Sequence, residues 1–288
     1  MVIAERTTSY GFLAALCGVR PIAIAQQGMT DLWPERSALH PIKKRIQNYA
    51  FRKADLIHAW GKVMTYSMQK SHVDMKKVLV LPKGINLELF ENKNEVNPNQ
   101  IRAIVTRSLQ PEYRHDVIIK AFAILHKIGY DFSLLIVGDG TQMCNLKQLA
   151  TDLGVGDKII FTGKVPNEQL PKLLQHSNYY ISMPITEGVS ASLFEAMATS
   201  CYPIVSDVAG NREFIVNREN GQLIPVDDVE KLAEELLWAI KNSEYRCKAA
   251  KNNRIFVEKN ADYKINMKRI SDRYHTLINT TELSHVRN

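Results

Sequence analysis

Cysteine is scarce, since this sequence of 288 residues has only four. The four cysteines stand far apart, and none forms a Cys-x-x-Cys pair. That number is low for a secreted fold held together by disulfides, so we interpret the cysteines as reduced thiols of a cytosolic protein. No apolar run reaches the length of about 18 residues that a membrane-spanning helix needs. The apolar stretch near the start is preceded by Glu5 and interrupted by Arg20-Pro21, which argues against a secretory signal.

Charge of one sign is also modest, since 37 basic and 30 acidic residues leave a formal net charge of +7. Such an excess suits an anionic ligand or surface without identifying either. The sequence has no platform of alternating aromatic and basic residues and no zinc-ligand spacing, so nucleic-acid binding finds no support. The hydrophobic fraction of 45% is that of a globular protein and excludes a disordered chain, a collagen and a coiled-coil rod.

Short apolar runs alternate with amphipathic segments along almost the whole chain. The runs at 134–137, 158–161, 179–183 and 203–206 predict strands. Between them, Asp116 can cap a helix that ends at Gly129, and Asp227 can open another. Strands that alternate with helices indicate an α/β fold with parallel sheets covered on both faces.

The same alternation occurs on a smaller scale in residues 1–90. Residues 91–100 are polar, lack periodicity and contain a proline, which is typical of a linker. We therefore predict a partial N-terminal domain at 1–90, a linker at 91–100, a second domain at 101–260 and a helical tail at 261–288.

The most informative segment runs from Glu187 to Glu195, after one predicted strand and into one predicted helix. Ligands of open α/β sheets bind beyond the carboxyl ends of the strands. Gly188 permits a close backbone turn there, and Ser190 is a good N-cap, so the helix start can attract phosphate. Glu187 and Glu195 can accept hydrogen bonds from sugar hydroxyls, which points to a sugar nucleotide. The alternative is that both acids are ordinary charges near a helix N-terminus.

This segment resembles the Glu-x7-Glu motif of retaining glycosyltransferases of family 4, which have the GT-B fold of two Rossmann-like domains. The neighbouring segments follow the order of that family over about residues 8–240, namely 137–140, 161–165, 195–198, 203–206 and 210–213. The resemblance implies an enzyme that transfers a hexose-type sugar from a nucleoside diphosphate sugar to a glycan or lipid-linked acceptor, with retention of configuration. It implies no metal and no cofactor besides the donor substrate, and a role in polysaccharide biosynthesis.

The resemblance also implies residue roles. Glu195 would hold the ribose hydroxyls and Glu187 the transferred sugar, while the backbone of Gly188, Val189 and Ser190 would lie against the sugar and diphosphate. Lys164 and Val165 would line the base pocket, largely through their main chain.

Two cations after the first strand of the second domain neutralise the diphosphate in that family, and Arg107 matches the first. The second is ambiguous, because the family's lysine position holds Tyr113, followed by Arg114. Arg114 can bridge two phosphate oxygens and is our choice. The alternative makes Arg114 a surface residue and Tyr113 the ligand contact.

The first domain departs from the family pattern, because about two βαβ units of roughly 30 residues precede its first strand in relatives. A truncated product, a separate chain that completes the domain, and a nucleotide-sugar-binding protein with little activity are three competing interpretations. In the segment 26–31, Gln27 replaces a family histidine. Gln27 and Asp31 can bind a hydroxyl, or the segment is an ordinary loop.

Residues 41–53 form a predicted basic helix that can touch an anionic membrane surface, although a helix packed on the sheet is the favoured interpretation. We therefore expect a cytoplasmic protein, with peripheral contact at the inner face of the membrane as an option. Two rivals to the transferase are a non-catalytic nucleotide-sugar-binding subunit and an epimerase of the same fold. The epimerase would need further carboxylates, which the sequence does not offer.

Overall fold

The computed structural model describes residues 1–26, 28, 38–91, 97 and 99–286. The chain divides into two compact units. The first comprises residues 1–84, 187–189 and 263–288, and the second comprises residues 85–186 and 190–262.

The first unit contains a four-stranded parallel sheet in the order β1-β2-β3-β4. Its strands are β1 (Val2–Glu5), β2 (Ile22–Gln26), β3 (Leu56–Ala59) and β4 (Val78–Val80). A π-helical turn at Arg6–Tyr10 leads into α1 (Gly11–Leu16), and α2 (His40–Lys53) and α3 (Thr65–Lys70) follow. Every residue of β2 and β3 is buried, as expected for strands that are covered on both faces.

The helix α2 packs on this sheet through Ala50 and Phe51, which are fully buried in the core of the first unit. Its Ile42 is 54% exposed. The predicted packing of residues 41–53 on the sheet is therefore confirmed, while the face of the helix that carries Ile42 is exposed.

The second unit contains six parallel strands in the order β10-β9-β8-β5-β6-β7. The strands are β5 (Arg102–Val105), β6 (Ser133–Val137), β7 (Ile159–Gly163), β8 (Tyr179–Ser182), β9 (Tyr202–Ser206) and β10 (Gln222–Ile224). The helices are α4 (His115–Lys127), α5 (Met143–Asp152), α6 (Leu170–Gln175), α7 (Ala191–Ala198), α8 (Ala209–Arg212), α9 (Val229–Lys241) and α10 (Ser243–Asn260). A final helix, α11 (Tyr263–Val286), belongs to the first unit. The predicted α/β class with parallel sheets is confirmed.

The ends of α4 show where local reasoning was right and where it was wrong. Gly129 adopts a positive φ of 91° and its amide closes the helix on the carbonyl of His126, as predicted. The N-cap is Arg114 rather than Asp116, because the Asp116 carboxylate binds Arg114 and Lys120 instead of a helix amide. Likewise α9 is capped by Asp228, whose side chain accepts from the Lys231 amide at 2.8 Å, and not by Asp227.

The division of the chain also differs from the linear prediction. The boundary falls between Gly84 and Ile85 rather than in residues 91–100, because Ile85 forms a bridge with Asp262 and its amide binds the Ala261 carbonyl within the second unit. The predicted tail, residues 261–288, is divided between the units, because residues 261 and 262 belong to the second unit and residues 263–288 to the first. Asn266 of α11 is buried in the first unit, where its side-chain amide donates to the Pro82 carbonyl at 3.0 Å.

Candidate functional site

The loops at the carboxyl ends of β5, β6 and β7 pack tightly on one another. The Gly138 amide donates to the Gly163 carbonyl at 3.0 Å, and the Leu109 amide donates to the Asp139 carbonyl at 2.9 Å. A Cβ at Gly138 would lie 2.2 Å from the carbonyl oxygen of Arg107, and φ at Gly138 is +147°. Only glycine fits there, so the Gly-rich turn after β6 fixes the backbone at Arg107.

The Arg107 side chain lies over the ring of Tyr113, with 5.1 Å between the guanidinium carbon and the ring centroid. Tyr113 ends a short 3-10 turn, Pro111–Tyr113, whose last amide binds the Gln110 carbonyl at 3.1 Å. The Ile185 amide donates to the Glu112 carbonyl at 2.9 Å and so ties this turn to the loop after β8.

The second predicted cation, Arg114, has carboxylate partners on two sides. Its Nε donates to Asp116 at 3.1 Å, and its Nη1 contacts Asp227. The hydrogen bond to Asp116 raises the pKa of the guanidinium further above its ordinary value. Its charge is therefore balanced within the protein, and a phosphate at Arg114 would have to replace one of these carboxylates.

The helix α7 begins as the sequence predicts. Ser190 has extended backbone angles, and its Oγ accepts a hydrogen bond from the Leu193 amide at 3.2 Å. The Ser192 hydroxyl donates to the Thr106 carbonyl at 3.4 Å, which holds the first turn of α7 against the end of β5. Glu195 follows Ser192 by three residues and therefore lies on the same face of the helix.

Glu195 is partly buried, and burial raises the pKa of its carboxyl group to about 7. The nearby Arg107 guanidinium acts in the opposite direction and lowers this pKa. Arg107 and Glu195 thus lie within electrostatic range of each other, although they come from different elements. A cation and a hydrogen-bond acceptor at the carboxyl edge of a parallel sheet can bind the phosphate and the hydroxyls of one ligand.

The remaining predicted site residues have separate surroundings. Glu187, Gly188 and Val189 belong to the first unit, where Val189 packs against the core. The Gly188 amide donates to the Glu187 carboxylate at 3.1 Å. In the second unit, Lys164 is exposed and Val165 is partly buried, directly after the positive φ of Gly163. Gln27 and Asp31 lie outside the described residues.

Several polar groups near Arg107 went unnoticed in the sequence. The hydroxyls of Thr106 and Ser182 are buried without a hydrogen-bond partner in the described part of the chain. Thr106 follows β5, and Ser182 is the last residue of the adjacent strand β8. Their position at strand ends was the available signal. His115 lies next to Arg114 in sequence and is 2% exposed, and burial lowers its pKa to about 4. It is therefore a neutral residue beside Arg107.

The described residues contain no group of three or more His, Cys, Asp or Glu side chains placed to hold a metal ion. None of their helices combines the length and the apolar character needed to cross a membrane.

The family profile of glycosyl transferases group 1 matches residues 87–256, more than half of the chain. An uncharacterised glycosyltransferase of Methanocaldococcus jannaschii is 26% identical over 244 residues, which cover 82% of this chain and 62% of the relative. The UDP-Gal:alpha-D-GlcNAc-diphosphoundecaprenol alpha-1,3-galactosyltransferase of Escherichia coli is 24% identical over 249 residues, which cover 81% of this chain and 64% of the relative. The chain thus spans less than two thirds of the length of these relatives.

Among solved structures, HepE of Anabaena in complex with UDP has a TM-score of 0.82 at 17% sequence identity. The likeness covers 96% of this chain and 79% of HepE. At this identity it shows the fold, which is α/β and GT-B-like with two parallel sheets.

Proposed function

The chain belongs to the glycosyl transferases group 1 family, and from this premise we propose that it transfers a hexose-type sugar from a nucleoside diphosphate sugar to a glycan or lipid-linked acceptor. We further propose that it has the features of family 4, with a Glu-x7-Glu motif from Glu187 to Glu195 and retention of the anomeric configuration.

The observation that carries this proposal is the hydrogen bond from the Ser192 hydroxyl to the Thr106 carbonyl, which holds the face of α7 that carries Glu195 against the end of β5, directly before Arg107. Arg107 stabilises the diphosphate, and the Glu195 carboxylate accepts hydrogen bonds from the ribose hydroxyls. Both groups are partly buried, so their interactions with a ligand are weakened less by water than those of surface charges would be.

Other residues complete the proposed donor site. The capped start of α7 and the backbone from Gly188 to Ser190 lie against the sugar and diphosphate, where helix amides favour negative charge. Glu187 binds hydroxyls of the transferred sugar, and the main chain at Lys164 and Val165 lines the base pocket. Arg114 is the candidate for a second phosphate cation, a role that requires exchange of Asp116 or Asp227 for phosphate.

The proposed chemistry follows from the charge that develops on the leaving group. Cleavage of the bond between the sugar carbon and the phosphate oxygen leaves negative charge on the diphosphate. Arg107 and the α7 amides stabilise that charge more in the transition state than in the ground state. The acceptor oxygen forms its bond to the anomeric carbon on the face from which the diphosphate leaves, and the leaving phosphate oxygen takes the proton of the acceptor hydroxyl. The anomeric configuration is therefore retained and no metal is needed.

A lipid-linked acceptor would place the protein at a membrane surface. The Escherichia coli relative is named for a diphosphoundecaprenol substrate, and α2 exposes Ile42 beside Lys44 and Arg45. We propose that residues 41–53 contact anionic lipid at the cytoplasmic face. Flotation with vesicles that contain phosphatidylglycerol should recover wild-type protein and lose the variant with Lys44 and Arg45 changed to Gln.

Activity is tested with the purified chain, labelled UDP-, GDP- and ADP-hexoses and glycan or undecaprenyl-diphosphate-linked acceptors. We expect transfer from one of the donors and loss of transfer in Arg107→Gln. The anomeric configuration of the product, determined by NMR, should be the same as that of the donor. Donor binding without transfer would instead favour a nucleotide-sugar-binding subunit that needs a partner chain, and absence of donor binding would refute the proposal.

A further inference from the structure

The helix α1 turns its small residues towards the core and its large apolar residues outward. Its buried residues are Gly11, Ala14 and Ala15. A Cβ at Gly11 would lie 2.7 Å from the carbonyl oxygen of Arg6, so this side of the helix is closely packed. The outer side, together with the residue that precedes α1, carries Tyr10, Leu13 and Leu16, which are 64%, 61% and 55% exposed. We call these three residues the α1 ridge.

The helix α9 shows the arrangement that is usual for a helix on a protein surface. Its Leu232 and Leu236 are fully buried, and its Glu230 and Glu234 are exposed. By contrast, α1 contains no charged residue, and large apolar side chains form its outer side. A contiguous exposed apolar patch of this kind marks a surface that binds a partner or a membrane.

The α1 ridge continues onto α2 through an aromatic contact. The rings of Phe12 and Tyr49 meet edge to face, with 5.8 Å between their centroids. Tyr49 follows Ile42 by seven residues, so both lie on the same face of α2, where Ile42 is exposed. Apolar and aromatic side chains of the two helices therefore form one surface of the first unit.

The α2 part of this surface is basic. Arg45 and Lys53 follow Ile42 by three and eleven residues, which places them on the same face of the helix, and both are exposed. The Lys53 Nζ lies 5.9 Å from the centre of the Tyr49 ring. The helix contains no acidic residue. An apolar ridge beside exposed cations is complementary to the apolar interior and the charged surface of an anionic bilayer.

We propose that the α1 ridge inserts into the headgroup region of an anionic membrane, while Arg45 and Lys53 of α2 bind the lipid phosphates. This inference rests on the membrane contact proposed above for residues 41–53, and it assigns the apolar anchor to a different helix. A second copy of the chain fits the surface less well, because a symmetric interface would place the same cations opposite one another.

Flotation of the full chain with equimolar vesicles of phosphatidylglycerol and phosphatidylcholine tests the α1 ridge. The test variant combines Leu13→Gln with Leu16→Gln, and the matched control is Ile160→Gln, at an apolar residue of β7 that is 54% exposed. Each leucine withdrawn from water strengthens binding by about tenfold or more. The double variant should therefore bind about a hundredfold more weakly than wild type, and the control should bind like wild type. All three proteins should unfold at the same temperature, because the substituted side chains are exposed.

Fluorescence reports whether the α1 ridge enters the bilayer. Tyr10→Trp places an indole on the ridge, and Ile160→Trp places one at a similarly exposed position of the second unit. Relative to wild type, the emission of Tyr10→Trp should shift to shorter wavelength when vesicles are added, because the indole leaves water. The emission of Ile160→Trp should not shift.

Three results would overturn the inference. These are flotation of the double leucine variant at the wild-type level, an unshifted emission of Tyr10→Trp, and light scattering that shows a dimer of wild type and a monomer of the double variant, which would make a second copy the occupant. If only the variant with Lys44 and Arg45 changed to Gln lost flotation, the membrane contact of residues 41–53 would stand and the inference would fail. Absence of wild-type flotation would overturn both, and the sugar-transfer assay decides the transferase separately.

Discussion

Replacing Glu195 with glutamine should stabilise the ligand-free protein at pH 8 while it impairs donor binding. In the folded protein, burial raises the pKa of the Glu195 carboxyl to about 7 from an ordinary value of 4.5. Ionisation of this group is therefore less favourable in the folded chain than in the unfolded chain. Glutamine keeps the shape and the hydrogen-bonding capacity of the side chain without a charge that must be desolvated.

The pH dependence has a definite sign. Because the folded pKa lies above the unfolded one, the contribution of Glu195 to stability is fully present below about pH 4.5 and is lost as the pH rises through 7. The difference between the two values, at about 1.4 kcal/mol for each pKa unit, gives a loss of about 3 kcal/mol at pH 8. For a unit of this size, that energy corresponds to about 6–12 °C in the midpoint of thermal unfolding.

Differential scanning calorimetry between pH 5 and pH 8 measures this effect, with the exposed Glu168→Gln as the matched control. The midpoint of Glu195→Gln should exceed that of wild type at pH 8, and the difference should shrink towards zero at pH 5. Glu168→Gln should follow wild type throughout. A pH-independent difference, or a destabilised Glu195→Gln at pH 8, would refute the assignment of Glu195 as a desolvated acid.

Three further predictions concern the loops and the ligand. Gly138→Ala should cost about 3 kcal/mol of stability or more, because its Cβ would lie 2.2 Å from a backbone oxygen of the loop after β5. The control Gly154→Ala, at positive φ but in open space, should cost only about 1 kcal/mol. Equal midpoints of thermal unfolding for the two variants would contradict this prediction. Ser190→Ala should lose about 1 kcal/mol through its lost helix cap, whereas the exposed Ser108→Ala should not, as measured by thermal unfolding. The affinity for an intact nucleotide sugar, which has no terminal phosphate titrating near pH 6, should fall as the pH drops from 8 to 6 in wild type and stay constant in Glu195→Gln; a parallel fall in both proteins would contradict the role of the Glu195 carboxylate.

Local patterns were sufficient for the elements and for part of the site. The apolar runs predicted strands because a strand covered on both faces needs apolar side chains at every position. Ser190 was identified as a cap from its place before an apolar helical segment, and its Oγ does bind the Leu193 amide. Both inferences depend on residues that are close together in the sequence.

Features that depend on distant residues could not be predicted in this way. Arg114 and Asp227 are 113 residues apart, and their contact occupies the carboxylate of Asp227, to which the sequence had assigned the start of α9. The raised pKa of Glu195 depends on how deeply α7 packs, which no local pattern reports. The grouping of residues 187–189 and 263–288 with the first unit is likewise a tertiary property.

The central claim is that Arg107 and Glu195 bind two parts of one nucleoside diphosphate. Isothermal titration of UDP, GDP and ADP, together with their nucleosides, into wild type, Arg107→Gln and Glu195→Ala tests it most directly. Wild type should bind one of the diphosphates. Arg107→Gln should weaken the binding of that diphosphate by about tenfold or more without affecting the binding of its nucleoside, and Glu195→Ala should weaken the binding of both. Diphosphate affinities that match wild type in both variants would contradict the account.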